Sequence, residues 1–112
     1  MTEPDEIRKV VSSIKARRND WIISERRKND TLPRMLAIPK SEILDIIFNV
    51  LNWRDYSSGP EDDKNKIPGN IWIFGLTISE IDCYLKFQDR PSGVIVWISV
   101  HPAEYPMRLP FR

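Results

Sequence analysis

Tyr84 and Lys86 stand two positions apart in the last third of the chain, and His101, its only histidine, follows fifteen residues after Lys86. A phenol, an ammonium and an imidazole together supply what metal-free cleavage of an RNA phosphodiester requires. They offer a base for the ribose 2′-hydroxyl, an acid for the departing oxygen, and positive charge for the pentavalent phosphorus. His101 is the first choice of proton carrier, since unperturbed imidazole is the side chain that titrates near neutrality. The same three residues also fit an ordinary half-buried sheet, in which polar side chains alternate with apolar ones on the solvent face. Spacing alone does not separate the two readings.

The elements that must position these side chains are strands. Ile71 to Ile78, Ile81 to Gln88 and Gly93 to His101 are rich in β-branched and aromatic residues, with turn formers at Ser79-Glu80 and Asp89-Arg90-Pro91-Ser92 between them. A three-stranded antiparallel meander is the economical arrangement. Alternation places Cys83, Leu85 and Phe87 on one face and Tyr84 and Lys86 on the other, and opposes Val94, Val96, Ile98 and Val100 to Ile95, Trp97, Ser99 and His101. With the apolar sets buried, Tyr84, Lys86, Trp97, Ser99 and His101 share the exposed face. A four-residue turn at 89–92 sets Tyr84 opposite Trp97 and Lys86 opposite Ile95. His101 then lies about 13 Å beyond Trp97 along the strand, too far to touch Tyr84 in a flat hairpin. On the first strand Trp72, Phe74 and Leu76 join the core, and Gly75 leaves room over Tyr84. An exposed Trp97 is the best candidate for stacking on a nucleobase. Lys66, Arg108 and Arg112 are candidate phosphate contacts beside the groove.

Ahead of the strands the pattern is helical. Ile7, Val10, Val11 and Ile14 form an amphipathic stripe over Asp5 to Arg18. Trp21, Ile22 and Ile23 fit either a continuation of that helix or a short strand. Pro33 stops any helix arriving at Leu32, and a turn or loop follows. Ser41 can cap a second helix that buries Ile43, Leu44, Ile47, Val50 and Leu51. Ser57 to Gly69, with two Gly, two Pro and five charged residues, is a surface loop. The Pro-rich stretch from Pro102 to Arg112 should lie extended along an edge.

The whole, 112 residues with 41% apolar and 29% charged composition, is expected to be one α+β domain. Its helical part covers 1–52, a loop 53–69, and the sheet and tail 70–112, with the helices packed on one face of a three- to four-stranded antiparallel sheet. No apolar run is long enough to cross a bilayer. Met1 to Glu6 lacks a signal-like pattern and Cys83 has no partner for a disulfide, so a cytoplasmic protein is expected. One His and one Cys on opposite faces do not make a transition-metal site, and Asp62-Asp63 offers at most a loose hold on a hard cation. Cys83, in the apolar set, reads as packing. Gly59-Pro60 and Pro68-Gly69 lack the spacing of a phosphate-binding loop. Residues 1–40 carry ten Lys and Arg against six Asp and Glu, a net of +4, and the remainder seven against ten, a net of −3. Within the basic part, Arg17-Arg18 and Arg26-Arg27-Lys28 fit a solvated helix face better than a phosphate site.

Asp55-Tyr56, Gly59-Pro60, Ile71-Trp72-x-Phe74-Gly75, Tyr84-Leu85-Lys86-Phe87 and Ile98-Ser99-Val100-His101-Pro102-Ala103-Glu104-Tyr105-Pro106 occur in this order. Together they resemble the MqsR-like toxins of bacterial toxin-antitoxin systems, from Ile38 onward. The resemblance implies a compact α+β fold related to the RelE-like ribonucleases and an endoribonuclease that cleaves mRNA without metal or other cofactor. It also implies a cognate antitoxin protein as partner. The family's functional tyrosine and lysine match Tyr84 and Lys86, and the basic residue closing its last strand matches His101, where better-known members carry lysine. Two further positions differ: a family lysine falls near Ser58 and a family glutamine on Ile73. The rival expectation is a non-catalytic RNA-binding or protein-interaction module on the same fold.

Overall fold

A computed structural model describes residues 2–112. Three α-helices, α1 (Pro4–Ala16), α2 (Thr31–Leu36) and α3 (Lys40–Val50), precede most of a five-stranded sheet. The strands are β1 (Trp21–Ile23), β2 (Tyr56–Glu61), β3 (Asn70–Ile78), β4 (Ile81–Asp89) and β5 (Ile95–Pro102), in the order β1-β5-β4-β3-β2. The class is the expected α+β. The meander β3-β4-β5 is extended at both edges, by β1 running parallel to β5 and by β2 running antiparallel to β3.

Pro4 opens α1, where its fixed φ suits the helix and its missing N–H costs nothing. Ile7, Val11 and Ile14 are its buried stripe. The chain leaves through a 3₁₀ turn at Arg18–Asp20, so Trp21 to Ile23 is a strand and not a fourth turn of helix. The Trp21 indole N–H donates to the Ile14 carbonyl at 2.8 Å, tying the strand to the helix it follows. At the same helix end the Arg17 guanidinium spans both carboxylate oxygens of Asp89, at 2.9 and 3.0 Å, and fastens α1 to the β4–β5 turn.

Several local expectations need correction. Pro33 does not open a loop: it sits in the first turn of α2, whose N–H groups have no intrahelical partner in any case. α3 is preceded by Pro39 and receives no side-chain cap from Ser41; Ile43, Leu44 and Ile47 are buried, whereas Val50 is 50% exposed. The stretch expected as loop contains a 3₁₀ turn, Trp53–Asp55, closed by reciprocal bonds between Asn52 and Asp55, and then edge strand β2. Gly59 and Pro60 disguised that strand, and its pairing with β3 is correspondingly irregular.

Residues 103–112 do not follow a strand edge; they cross the sheet over Gly75. A Cβ on Gly75 would meet the Met107 sulfur at 2.9 Å and Leu109 at 3.1 Å. The space left by Gly75 therefore admits the tail and does not open a groove over Tyr84. The tail is pinned where the Ala103 N–H meets the Asp82 carbonyl at 2.8 Å and where the Ser57 hydroxyl donates to the Arg108 carbonyl at 2.8 Å. Phe111 closes onto Trp53 and Tyr56.

The pairing of β4 with β5 differs most from the sequence-based expectation. Gly93, at φ +95°, and a bond from the Arg90 N–H to the Val94 carbonyl close a turn longer than the four residues expected, and Asp89 pairs with Ile95. One further residue, Ile98, is left over between the pairs Phe87–Trp97 and Lys86–Ser99, as a β-bulge. The turn moves the register by three and the bulge by one. Beyond the bulge the displacement is four, an even number, so Ser99 and His101 keep the face expected of them. Before the bulge it is odd, and Ile95 and Trp97 turn into the core.

Candidate functional site

Asn29 fixes the geometry of the bulge. Its buried amide accepts the Val100 N–H at 2.8 Å and donates to the carbonyls of Ile98 and Ser24, each at 3.0 Å. β1 ends at Ile23, and the Asn29 amide continues its role as a neighbour of β5 where no strand remains. Arg26 adds a second donor to the Ile98 carbonyl at 3.2 Å and bonds the Ser99 hydroxyl at 2.8 Å. The carbonyl turned outward by the bulge thus holds a guanidinium at the edge of the sheet face that carries Tyr84.

On that face Tyr84 pairs directly with His101 and Lys86 with Ser99. The Tyr84 and His101 rings are stacked, with centroids 5.4 Å apart and planes inclined by 24°. The expected separation of His101 from the Tyr-Lys pair is overturned by the four-residue displacement. Nδ1 of His101 lies 2.9 Å from the Pro102 carbonyl, which can only accept, so Nδ1 carries the proton. In the neutral ring Nε2 is then the free lone pair. His101 retains only 8% exposure. Burial, and secondarily the Glu61 carboxylate, push the Tyr84 phenol above its ordinary range, against smaller opposing effects of Arg26 and Lys28. Tyr84 accordingly stays a proton donor through neutral pH.

These groups line one cleft of about 510 Å³. Its floor is Ile73, Tyr84, Lys86, Ser99 and His101. One wall is Arg26 and Lys28, another Ser57 and Ser58, and the tail from Ala103 to Arg108 forms the rest. Four cations, Arg26, Lys28, Lys86 and Arg108, face it, against the single carboxylate of Glu104. Glu104 is bonded to Lys28 at 2.6 Å, and that bond holds its carboxyl below the usual range. An excess of positive charge around a stacked phenol and imidazole suits a phosphodiester anion.

The structure brings Tyr84, Lys86, His101 and Arg108 together and disperses the other expected contacts. Trp97 is fully buried between Trp21 and Phe87, at centroid distances of 4.9 and 5.0 Å, and cannot stack on a base. Its indole N–H has no partner among the described residues, an omission of about 1–3 kcal/mol that burial of a side chain this size, at about 4–6 kcal/mol, outweighs. Arg112 bonds the buried Asp55 carboxylate at 2.6 Å, away from the cleft. Lys66 lies in the β2–β3 connection and does not line it. Arg26 and Lys28 are the residues that sequence reasoning passed over; the Arg26-Arg27-Lys28 run was the signal, read as a solvated face. Cys83 is buried in the core, and burial pushes its thiol up to about 11, as expected of a packing residue. Among the described residues no three His, Cys, Asp or Glu side chains cluster closely enough to hold a metal ion, and no helix is long and apolar enough to cross a membrane.

No protein-family model, no curated protein and no solved structure matches this chain.

Proposed function

We propose that this chain is an endoribonuclease of the toxin type that cleaves mRNA without a metal ion, and that a cognate antitoxin restrains it. The observation that carries the chemistry is the Tyr84–His101 stack on the floor of a cleft faced by four cations. In this reading Nε2 of His101 takes the proton of the ribose 2′-hydroxyl as its oxygen attacks phosphorus. The bond to the 5′-oxygen breaks, and the Tyr84 phenol protonates the departing oxygen. The products are a 2′,3′-cyclic phosphate and a 5′-hydroxyl end, and proton exchange with solvent resets both side chains. Lys86, with Arg26 and Arg108, offsets the charge that builds on phosphorus. The resemblance to the MqsR-like toxins supplies mRNA as substrate and the antitoxin as partner. All five positions compared with that family, 58, 73, 84, 86 and 101, line the same cleft.

Ser58 and Ile73 support a second reading. They stand in the cleft where the family has lysine and glutamine, so a binding module with reduced or no chemistry fits those two positions. Incubating the purified protein with single-stranded RNA, with and without a chelator, separates the two. The nuclease cuts in both cases, and His101→Ala lowers the rate by about 10²–10⁴ while remaining folded. Binding without cleavage supports the module. Expression alone in bacteria tests the toxin assignment through growth arrest accompanied by RNA fragmentation.

A further inference from the structure

We propose that Tyr105 is the base-stacking residue of this cleft, and that its ligand is an unpaired nucleobase of single-stranded RNA next to the phosphate held by the basic residues. The inference rests on the RNA reading of the site but not on cleavage.

Among the described residues, five large apolar or aromatic side chains are prominently exposed: Ile22, Met35, Val50, Ile67 and Tyr105. Tyr105, at 79%, is the most exposed of them, the only aromatic one, and the only one that lines the cleft. An aromatic ring left in water beside a cationic cleft has the two faces that a nucleobase needs, and stacking of this kind is tolerant of sequence.

The backbone beneath the ring is held on both sides. Glu104 bonds Lys28 at 2.6 Å, the Ala103 N–H is tied to Asp82, and the Arg108 carbonyl is tied to Ser57. Pro106, directly after Tyr105, restricts the chain further. A ring on an anchored segment loses little freedom when a base settles on it, which is what makes a tyrosine an efficient contact. Trp97 cannot serve, because it is in the core. Tyr84 cannot offer a free face on the side occupied by His101.

The test is binding of a fluorescein-labelled, single-stranded RNA decamer carrying 2′-O-methyl groups throughout, which removes the attacking hydroxyl and leaves binding alone. Tyr105→Ala is expected to weaken binding about 5- to 100-fold, and Tyr105→Phe to bind within about twofold of the wild type. Removing single bases from the decamer in turn should find one position where the wild type falls to the level of Tyr105→Ala and the variant does not change. Because the Tyr105 side chain makes no hydrogen bond among the described residues and is 79% exposed, both variants should melt at the wild-type temperature. Tyr105→Ala binding within twofold of the wild type overturns the proposal. So does a loss that persists undiminished at every abasic position. Should the wild type fail to cut unmodified RNA while Tyr105→Ala still loses binding, the nuclease reading falls and this one stands. Should cleavage depend on His101 while binding ignores Tyr105, the reverse holds. Failure of the wild type to bind the decamer overturns this proposal outright.

Discussion

The side-chain oxygen of Asn29 accepts the backbone N–H of Val100 at 2.8 Å, joining two residues seventy-one positions apart in the interior of the protein. The other end of the same amide holds Ile98 and Ser24, so one side chain secures the strand on which Ser99 and His101 are presented.

Asn29→Ala is expected to destabilise the fold by about 2–4 kcal/mol, because it leaves buried backbone groups on β5 unpaired. Urea unfolding measures the loss. Asn29→Asp keeps an acceptor for Val100 but cannot donate to Ile98, so it should recover only part of it. Equal stability of wild type and Asn29→Ala would show that the bulge holds its shape without the clamp.

Tyr84 should set an alkaline limit on cleavage. Burial raises its phenol above the ordinary value of 10, so the protonated form needed to meet the departing oxygen persists to a higher pH than in an exposed tyrosine. Activity is therefore expected to survive to pH 10 and to fall only above it, and Tyr84→Phe should remove that limb along with about 10²-fold or more of the rate. A pH–rate profile for both proteins decides the point; an identical alkaline limb in Tyr84→Phe assigns it to another group. The same shift has a consequence for stability. The folded phenol holds its proton more tightly than the unfolded one, so its contribution is complete below pH 10 and is lost as pH rises through the folded value.

Arg108 and Arg112, alike by sequence, should separate by experiment. Arg112→Ala removes the cationic partner of the buried Asp55 carboxylate, leaving it the Asn52 N–H, and is expected to cost about 1–3 kcal/mol of stability, with RNA binding per folded molecule unchanged. Arg108→Ala should instead weaken binding to the 2′-O-methyl decamer and flatten its dependence on salt, with little effect on melting. Melting curves and binding titrations at two salt concentrations distinguish them.

Much of this arrangement is legible in the chain itself. The stripe Ile7, Val11, Ile14 and the alternation through Trp72, Phe74 and Leu76 specify α1 and the core face of β3, because burial imposes the 3.6 and 2.0 periods directly. The facing of Tyr84 and Lys86 follows from the same period. What alternation does not carry is register, which depends on turn length and on bulges. Ile95, Trp97 and Val100 are the residues of β5 that join the hydrophobic core, and their spacing of two and then three is the trace of an inserted residue in a run where nearly every side chain is apolar. Strand β2 was hidden by Gly59 and Pro60. The basic wall at Arg26 and Lys28 was hidden for a different reason: Arg26 is held by the Ile98 carbonyl and the Ser99 hydroxyl and Lys28 by Glu104, contacts across more than seventy residues that no local pattern of side chains reports.

The bulge at Ile98 also separates two things that a strand ordinarily fixes together. Omitting this one residue would leave Ile95, Trp97 and Val100 inward and Ser99 and His101 outward in unbroken alternation, so the Tyr84–His101 pair does not depend on it for facing. The outward carbonyl that anchors Arg26 does depend on it. Chains differing by a single insertion or deletion at this point can therefore keep the same floor while holding a guanidinium at its rim by one anchor or by two, a change in strand length that acts on the placement of charge.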